Sequence, residues 1–271
     1  MTESSSLPAA ALVHSVMAAG LARPQRLQDW IAEPRTMDRY GLEPSSMDLA
    51  TLADFAGLSE KVRHNQCRQH LELTFRLIRL AGVEVELFRE YAPRSRERRR
   101  QGLTSVRDRL DGLAQFVEEW ATADGSIRGL VRDVLWHEYV IAVLRDTDVS
   151  PDAALRPGVP AHHGRIVVRR ATCSPLQVAA VLRAREPDLG AIERGDWTFV
   201  YHKPPSGPVR IMDVEPAVAD LLLAVDGRSS VGELAGRLFG GALVDSLRST
   251  LGQLVDLDVL TWSNAEGRPC A

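Results

Sequence analysis

The sequence predicts an α+β chain: an N-terminal helical bundle followed by a small α/β domain. Three observations carry this. Apolar residues recur at helical spacing between residues 59 and 147. A stretch at 148–163 holding Pro151, Pro157, Gly158 and Pro160 then interrupts the pattern, because proline cannot donate to a helix or a ladder. Over 164–263, β-branched and aromatic residues alternate with polar ones before helical spacing returns. At 271 residues the chain can bury a sizeable core in one or two domains.

The elements follow in order. Residues 1–10 read as a loose tail, and Leu12, Val16, Met17 and Leu21 fit a short helix ahead of Pro24. Residues 23–46 carry Pro24, Pro34 and Pro44 and read as irregular or short-helical. Residues 1–58 thus form an N-terminal extension, and 59–147 a helical domain. Ser59 is placed to cap a helix running to about Leu80, with Val62, Leu71, Phe75 and Ile78 near one face. Gly82 ends it, and residues 83–91 add a turn or two that Pro93 stops. Leu110, Leu113, Phe116, Val117 and Trp120 mark a third helix. A fourth runs from Ile127 to about Leu144 through Leu130, Val131, Val134, Leu135 and Tyr139.

Beyond the linker at 148–163, Ile166 and Val168 alternate with Arg165 and Arg169 as a strand. Ser174-Pro175 then opens a helix. Trp197, Phe199 and Tyr201 begin a hairpin that turns at Pro204-Pro205-Ser206-Gly207-Pro208 and returns through residues 209–212. Three helices follow. Pro216 opens the first, Ser230 with Glu233 makes a capping box for the second, and Gly240-Gly241 breaks it. The third carries Leu243, Leu247, Leu251, Leu254 and Val255. Residues 259–262 read as a wing or sheet edge, and 264–271 as a tail. The order over 164–263 is that of a winged-helix-like domain.

Composition narrows the function classes. No apolar run approaches the roughly 20 residues that span a bilayer. The first seven residues lack a basic region, which argues against a secretory signal. Cys67, Cys173 and Cys270 are odd in number and unrelated in spacing, so a reducing, cytoplasmic setting is expected. A net charge of -3 gives no drive towards nucleic acid or anionic membrane. The last helix, at 241–257, carries Arg248 as its single base against Asp245 and Asp256, which disfavours a DNA-binding regulator.

Candidate chemistry is sparse. His64, Cys67 and His70 are three apart, but at 100° per residue His64 and His70 fall about 240° apart on a helix, so one helix does not present all three to a metal. Trp136-His137-Glu138 lacks the second histidine of a zincin, position 141 being Ile. His162-His163 lies in the linker and needs remote partners to hold a metal. The run Arg94, Arg96, Arg98, Arg99 and Arg100 has no interleaved aromatic for base stacking and reads as a solvated or partner-facing surface. Walker, dinucleotide and nucleophile-elbow motifs are missing. No catalytic residue and no metal ligand are assigned, although a stand-alone metalloenzyme using His64, Cys67 or His137 stays open as a rival.

The hairpin edge is different in kind. An exposed strand beside an apolar helix accepts an extended peptide as an added strand. Val209, Arg210, Ile211 and Met212, with Leu247 and Leu251, are the expected peptide-binding residues. Cover of the same edge by the N-terminal helices is the even alternative.

Several segments are similar to one family. They are 167–169, then 175–187 ending in Glu186-Pro187, then Trp197-Thr198-Phe199-Val200-Tyr201, then 209–222 with a helix opening at Pro216. Residues 65–73, Tyr91-Ala92-Pro93-Arg94-Ser95 and Asp133-Val134-Leu135-Trp136-His137-Glu138 add to this. Together they resemble the partner proteins of multinuclear non-heme iron oxidative enzymes, which modify ribosomally made peptides in methanobactin and 3-thiaglutamate biosynthesis. The resemblance spans about residues 60–235 and departs from the family over 1–58. It implies a non-catalytic subunit whose C-terminal domain is a precursor-peptide recognition element. It implies no cofactor in this chain, iron in a separate TIM-barrel enzyme, and a heterodimer with that enzyme. Arg94, Arg98, Trp136, His137 and Tyr139 are then the expected enzyme-docking residues.

Overall fold

The computed structural model describes residues 9–43, 45, 47–121, 127–149 and 156–262. Most of the expected N-terminal tail (1–8), residues 150–155 of the expected linker and the expected tail at 264–271 lie outside the described residues. The described chain is mostly helical, with a small sheet region following the bundle in an α+β layout. It forms two compact units, Met1–Leu135 and Trp136–Ala271.

The first unit comprises α1 (Ala9–Ala22), α2 (Pro24–Ala32), a 3-10 segment (Pro34–Tyr40), α3 (Leu49–Arg63), a second 3-10 segment (Asn65–Gln69), α4 (Glu72–Leu80), α5 (Glu84–Arg100), α6 (Val106–Trp120) and the start of α7 (Ile127–Arg145). Pro24 and Pro34 sit in first turns, where a missing N–H costs nothing. The described part of residues 1–58 is therefore more than an extension: Val16, Leu27, Trp30 and Met37 bury themselves with Leu52, Ala53 and Ala56 of α3.

Three helix boundaries differ from expectation. The helix expected to start at Ser59 starts at Leu49, where Asp48 accepts the Thr51 N–H at 3.0 Å. It ends at Arg63 rather than Leu80, because His64 and Cys67 turn into the core, 1% and 0% exposed, through the 3-10 segment. Val62 is 63% exposed, so it leaves the apolar face that Leu71, Phe75 and Ile78 share. Pro93 does not stop α5, which runs on to Arg100. An interior proline costs about 3 kcal/mol. Packing offsets it here: Leu87, Phe88, Tyr91, Ala92 and Ser95 are all buried. Gly57 permits the α3–α5 approach, since a Cβ there would sit 2.9 Å from the Arg89 amide nitrogen.

In the second unit, β2 (Arg165–Ala171), β3 (Trp197–Lys203) and β4 (Arg210–Asp213) form an antiparallel sheet in the order β2-β3-β4. Register runs from Arg165 opposite Lys203 to Ala171 opposite Trp197, and from Phe199 opposite Asp213 to His202 opposite Arg210. Side chains of β3 alternate between faces. Phe199 and Tyr201 meet Val140 and Leu144 of α7, flanked by Trp136, Tyr139 and Ile141. Val200 meets the apolar faces of α9 (Pro216–Ala224), α10 (Val231–Phe239) and α11 (Val244–Asp256). That packing explains why the units divide inside α7, whereas the sequence puts the boundary at 148–163: the second half of the helix covers a sheet face. The expected linker also supplies a strand, β1 (Ala161–His162), which pairs with β5 (Leu260–Thr261).

The helix between β2 and β3, α8 (Pro175–Arg183), begins at Ser174, whose side chain makes no capping hydrogen bond. The capping box at Ser230 and Glu233 forms as expected, and Gly240 closes α10 in the left-handed region at φ 63°.

Candidate peptide-binding edge

β4 pairs with β3 and, among the described residues, with no other strand. The Val214 N–H donates to the Thr198 carbonyl at 3.0 Å. Bonded pairs alternate along an antiparallel ladder, so Val200–Met212 and His202–Arg210 continue that series. Ile211 and Asp213 consequently point their N–H and C=O groups away from β3. Neither N–H has a protein partner among the described residues. The opposite edge, on β2, is lined by Arg165, Arg169 and Arg170, the kind of charge that discourages strand addition.

The six expected peptide-binding residues divide. Val209 and Ile211 are half-buried towards α7, and Met212 packs towards α9–α11. Arg210 is committed within the chain: Nη1 donates to the Leu257 carbonyl at 3.0 Å and Nη2 to the Asp258 carboxylate at 3.4 Å. A guanidinium at the end of α11 suits the negative end of that helix. Leu247 and Leu251 are corrected from surface to core, 3% and 0% exposed, because they belong to the stripe of α11 that faces Val200. What the surface does offer is a dimple of about 110 Å³ lined by Ala217, Val218, Phe239, Leu243 and Thr250, with Leu247 at its floor. Leu243 is 59% exposed and holds φ at 65°, in the left-handed region.

A polar chain closes the same end of the sheet. Asp258 also accepts from His163 Nδ1 at 2.5 Å, and the His163 carbonyl accepts from His202 Nε2 at 2.6 Å. His202 is fully buried, which lowers its pKa, and its Nδ1 has no partner among the described residues.

The expected docking residues divide too. Arg94 is half-exposed, bonds Glu119 at 2.5 Å and stacks over Phe116 at 5.5 Å. Arg98 reaches the Asp108 carbonyl at 2.9 Å. Trp136, His137 and Tyr139 are corrected from a docking surface to the cover of their own sheet. Trp136 lies under the Arg169 guanidinium at 4.1 Å and edge-on to Tyr139 at 5.0 Å. His137 is 7% exposed with Nδ1 3.0 Å from the Tyr201 hydroxyl, and burial pushes its pKa down to about 4.

A polar cavity of about 350 Å³ in the helical unit went unpredicted. Its centre is Glu60 of α3, 1% exposed. Arg99 Nη1 donates to both carboxylate oxygens at 2.9 and 3.0 Å, Arg63 donates at 3.1 Å, and Ser95 Oγ donates as well. His64 Nδ1 lies 2.9 Å from the Glu60 carbonyl, which can only accept, so Nδ1 carries the proton. Burial holds His64 below the usual imidazole range and raises the Cys67 thiol to about 11. Among the described residues no group of three or more His, Cys, Asp or Glu side chains is arranged to hold a metal, and no helix is long and apolar enough to cross a membrane.

The chain matches no known protein family and no curated protein sequence.

Proposed function

We propose that this chain is a non-catalytic subunit that binds a ribosomally made precursor peptide along β4 and presents it to a separate TIM-barrel iron oxygenase. The second unit is read as a winged-helix-like recognition element, its sheet, hairpin and three closing helices in the order found in the family it resembles. The observation that carries the reading is the pair of outward-facing backbone groups at Ile211 and Asp213 on an edge without a strand. An extended peptide satisfies both through main-chain bonds, as in other strand-addition complexes. The apolar dimple beside Leu243 and Phe239 supplies a pocket for a side chain. A partner protein is supported by α3, where Phe55, Leu58 and Val62 are 55%, 42% and 63% exposed on one helix face. Holding a remote segment of a substrate positions its reacting residue, which is how a subunit without chemistry raises a partner's rate.

Asp213→Pro tests the edge. Its side chain is exposed and its N–H faces outward, so proline removes one donor and leaves the bonds to β3 in place. Loss of one net hydrogen bond, about 1 kcal/mol, weakens binding of a labelled precursor peptide roughly fivefold by fluorescence anisotropy. Equal binding by the variant and the parent rejects the edge as the site. Failure to co-purify with an iron-loaded TIM-barrel protein from the neighbouring gene rejects the subunit role.

A further inference from the structure

We propose that the cavity between α3, α5 and α6 binds a phosphate dianion, free or as the head of a small phosphate monoester. The charge balance of its walls points there. Four guanidiniums line it, from Arg63, Arg98, Arg99 and Arg109, against the carboxylates of Glu60 and Asp108. Arg99 and Arg63 are spent on Glu60. The Asp108 carboxylate is spent on the Ser105 N–H and hydroxyl, in the capping box of α6.

Arg98 and Arg109 are left. Arg98 donates to the Asp108 carbonyl at 2.9 Å. Arg109 donates to the carbonyls of Arg63 and Thr104 and to Gln66 Oε1. Carbonyls fix these side chains without neutralising them, and among the described residues neither forms an ion pair with a carboxylate. Two half-buried guanidiniums thus line one cavity without a direct carboxylate partner, and the four arginines outnumber the two carboxylates of its wall. A phosphate monoester carries about -1.5 to -2 at pH 7, which matches them in charge.

His64 belongs to the cavity wall, with Nδ1 committed to the Glu60 carbonyl and Nε2 closed off from solvent. The volume, about 350 Å³, exceeds what a lone phosphate fills and reaches the range of small-molecule sites. This site stands apart from the peptide edge in residues and in chemistry, so either proposal can fail without the other.

The test uses the full chain with inorganic phosphate, glycerol 3-phosphate, and sodium chloride at matched ionic strength. Calorimetry gives affinity, and hydrogen exchange over residues 60–66 and 91–109 gives location. Saturable binding with protection in those segments is expected, and Arg98→Gln, which keeps an amide donor for the Asp108 carbonyl, weakens it about tenfold or more. A tighter phosphate arm assigns the free ion, and a tighter monoester arm assigns the ester. Should Arg98→Gln not fold, the His64 ring resonances of the parent chain decide, since a bound phosphate shifts them and chloride does not. Protection no greater than chloride gives, or equal affinity in a folded Arg98→Gln, overturns the proposal.

Discussion

Acid should loosen the sheet unit through His137, and the size of the effect follows from where that ring sits. His137 is 7% exposed, hydrogen-bonded to Tyr201, and its pKa falls from 6.5 to about 4 by burial alone. Between those values the unfolded chain binds a proton that the folded chain refuses. Stability therefore rises with pH across this window: the contribution is fully present above 6.5 and is lost as pH falls towards 4. The gap converts to about 3 kcal/mol at 1.36 kcal/mol per pKa unit. His202, lowered by burial in the same sheet, adds in the same direction. Replacing His137 by Gln keeps a polar partner for Tyr201 and removes the titration. Denaturant melts at pH 7.5, 6 and 4.5, read by hydrogen exchange over residues 136–145 and 197–203, compare the two chains within this unit. The parent should lose about 2.5 kcal/mol more than His137→Gln over that range. Parallel stability–pH curves would refute the assignment of a buried neutral imidazole.

Two substitutions probe the packing that carries the sites. Gly57→Ala sets a methyl 2.9 Å from the Arg89 nitrogen and 3.0 Å from the Val85 carbonyl oxygen, both backbone, so α3 and α5 must part; a loss of about 1–3 kcal/mol is expected in a thermal melt followed by helical circular dichroism. Leu251→Ala empties a fully buried position between α11 and the sheet, for about 2–5 kcal/mol by urea titration, and a loss under 1 kcal/mol contradicts its placement in the core.

The sheet unit was more legible in the sequence than the helical one, for a physical reason. Its elements are punctuated locally: Pro216 opens α9, the Ser230–Glu233 box opens α10, and the proline-rich turn at 204–208 closes the β3–β4 hairpin. Such signals act within a few residues. The break between α3 and α4 has none, since no proline or glycine lies between Arg63 and Leu71. It arises from burial of His64 and Cys67, a tertiary cause that no short window reveals. Pro93 misled in the opposite sense, because packing of α5 on α3 outweighed a local penalty. The cavity was hidden for a related reason: Glu60, Ser95 and Arg99 are 35 and 39 positions apart and converge by the α3–α5 crossing. Only the short-range pairs were open to reading: Glu60 with Arg63 and His64, and Ser95 with Arg99. At the edge, the strand was readable, but the burial of Leu247 and Leu251 depended on which side of α11 meets the sheet.

The burial of Leu247 and Leu251 limits what the proposed edge can bind. β4 is four residues long and turns two backbone positions outward, enough for about four main-chain hydrogen bonds. At about 1 kcal/mol net each, these contribute roughly 4 kcal/mol, while association costs an estimated 4–15 kcal/mol. Main-chain bonds alone therefore give no stable complex with peptide or with a second copy, and a short edge of this kind protects the free chain from aggregation. Selective binding requires side-chain burial, and with Leu247 and Leu251 already inside, that role passes to Leu243, Phe239 and the dimple beside them. Covering one large apolar side chain contributes about 1.5–3 kcal/mol. A peptide bound at the proposed edge accordingly needs an extended stretch to pair with Ile211 and Asp213 and apolar residues to bury beside it. On the proposed reading neither feature suffices alone, and the joint requirement would make the edge selective.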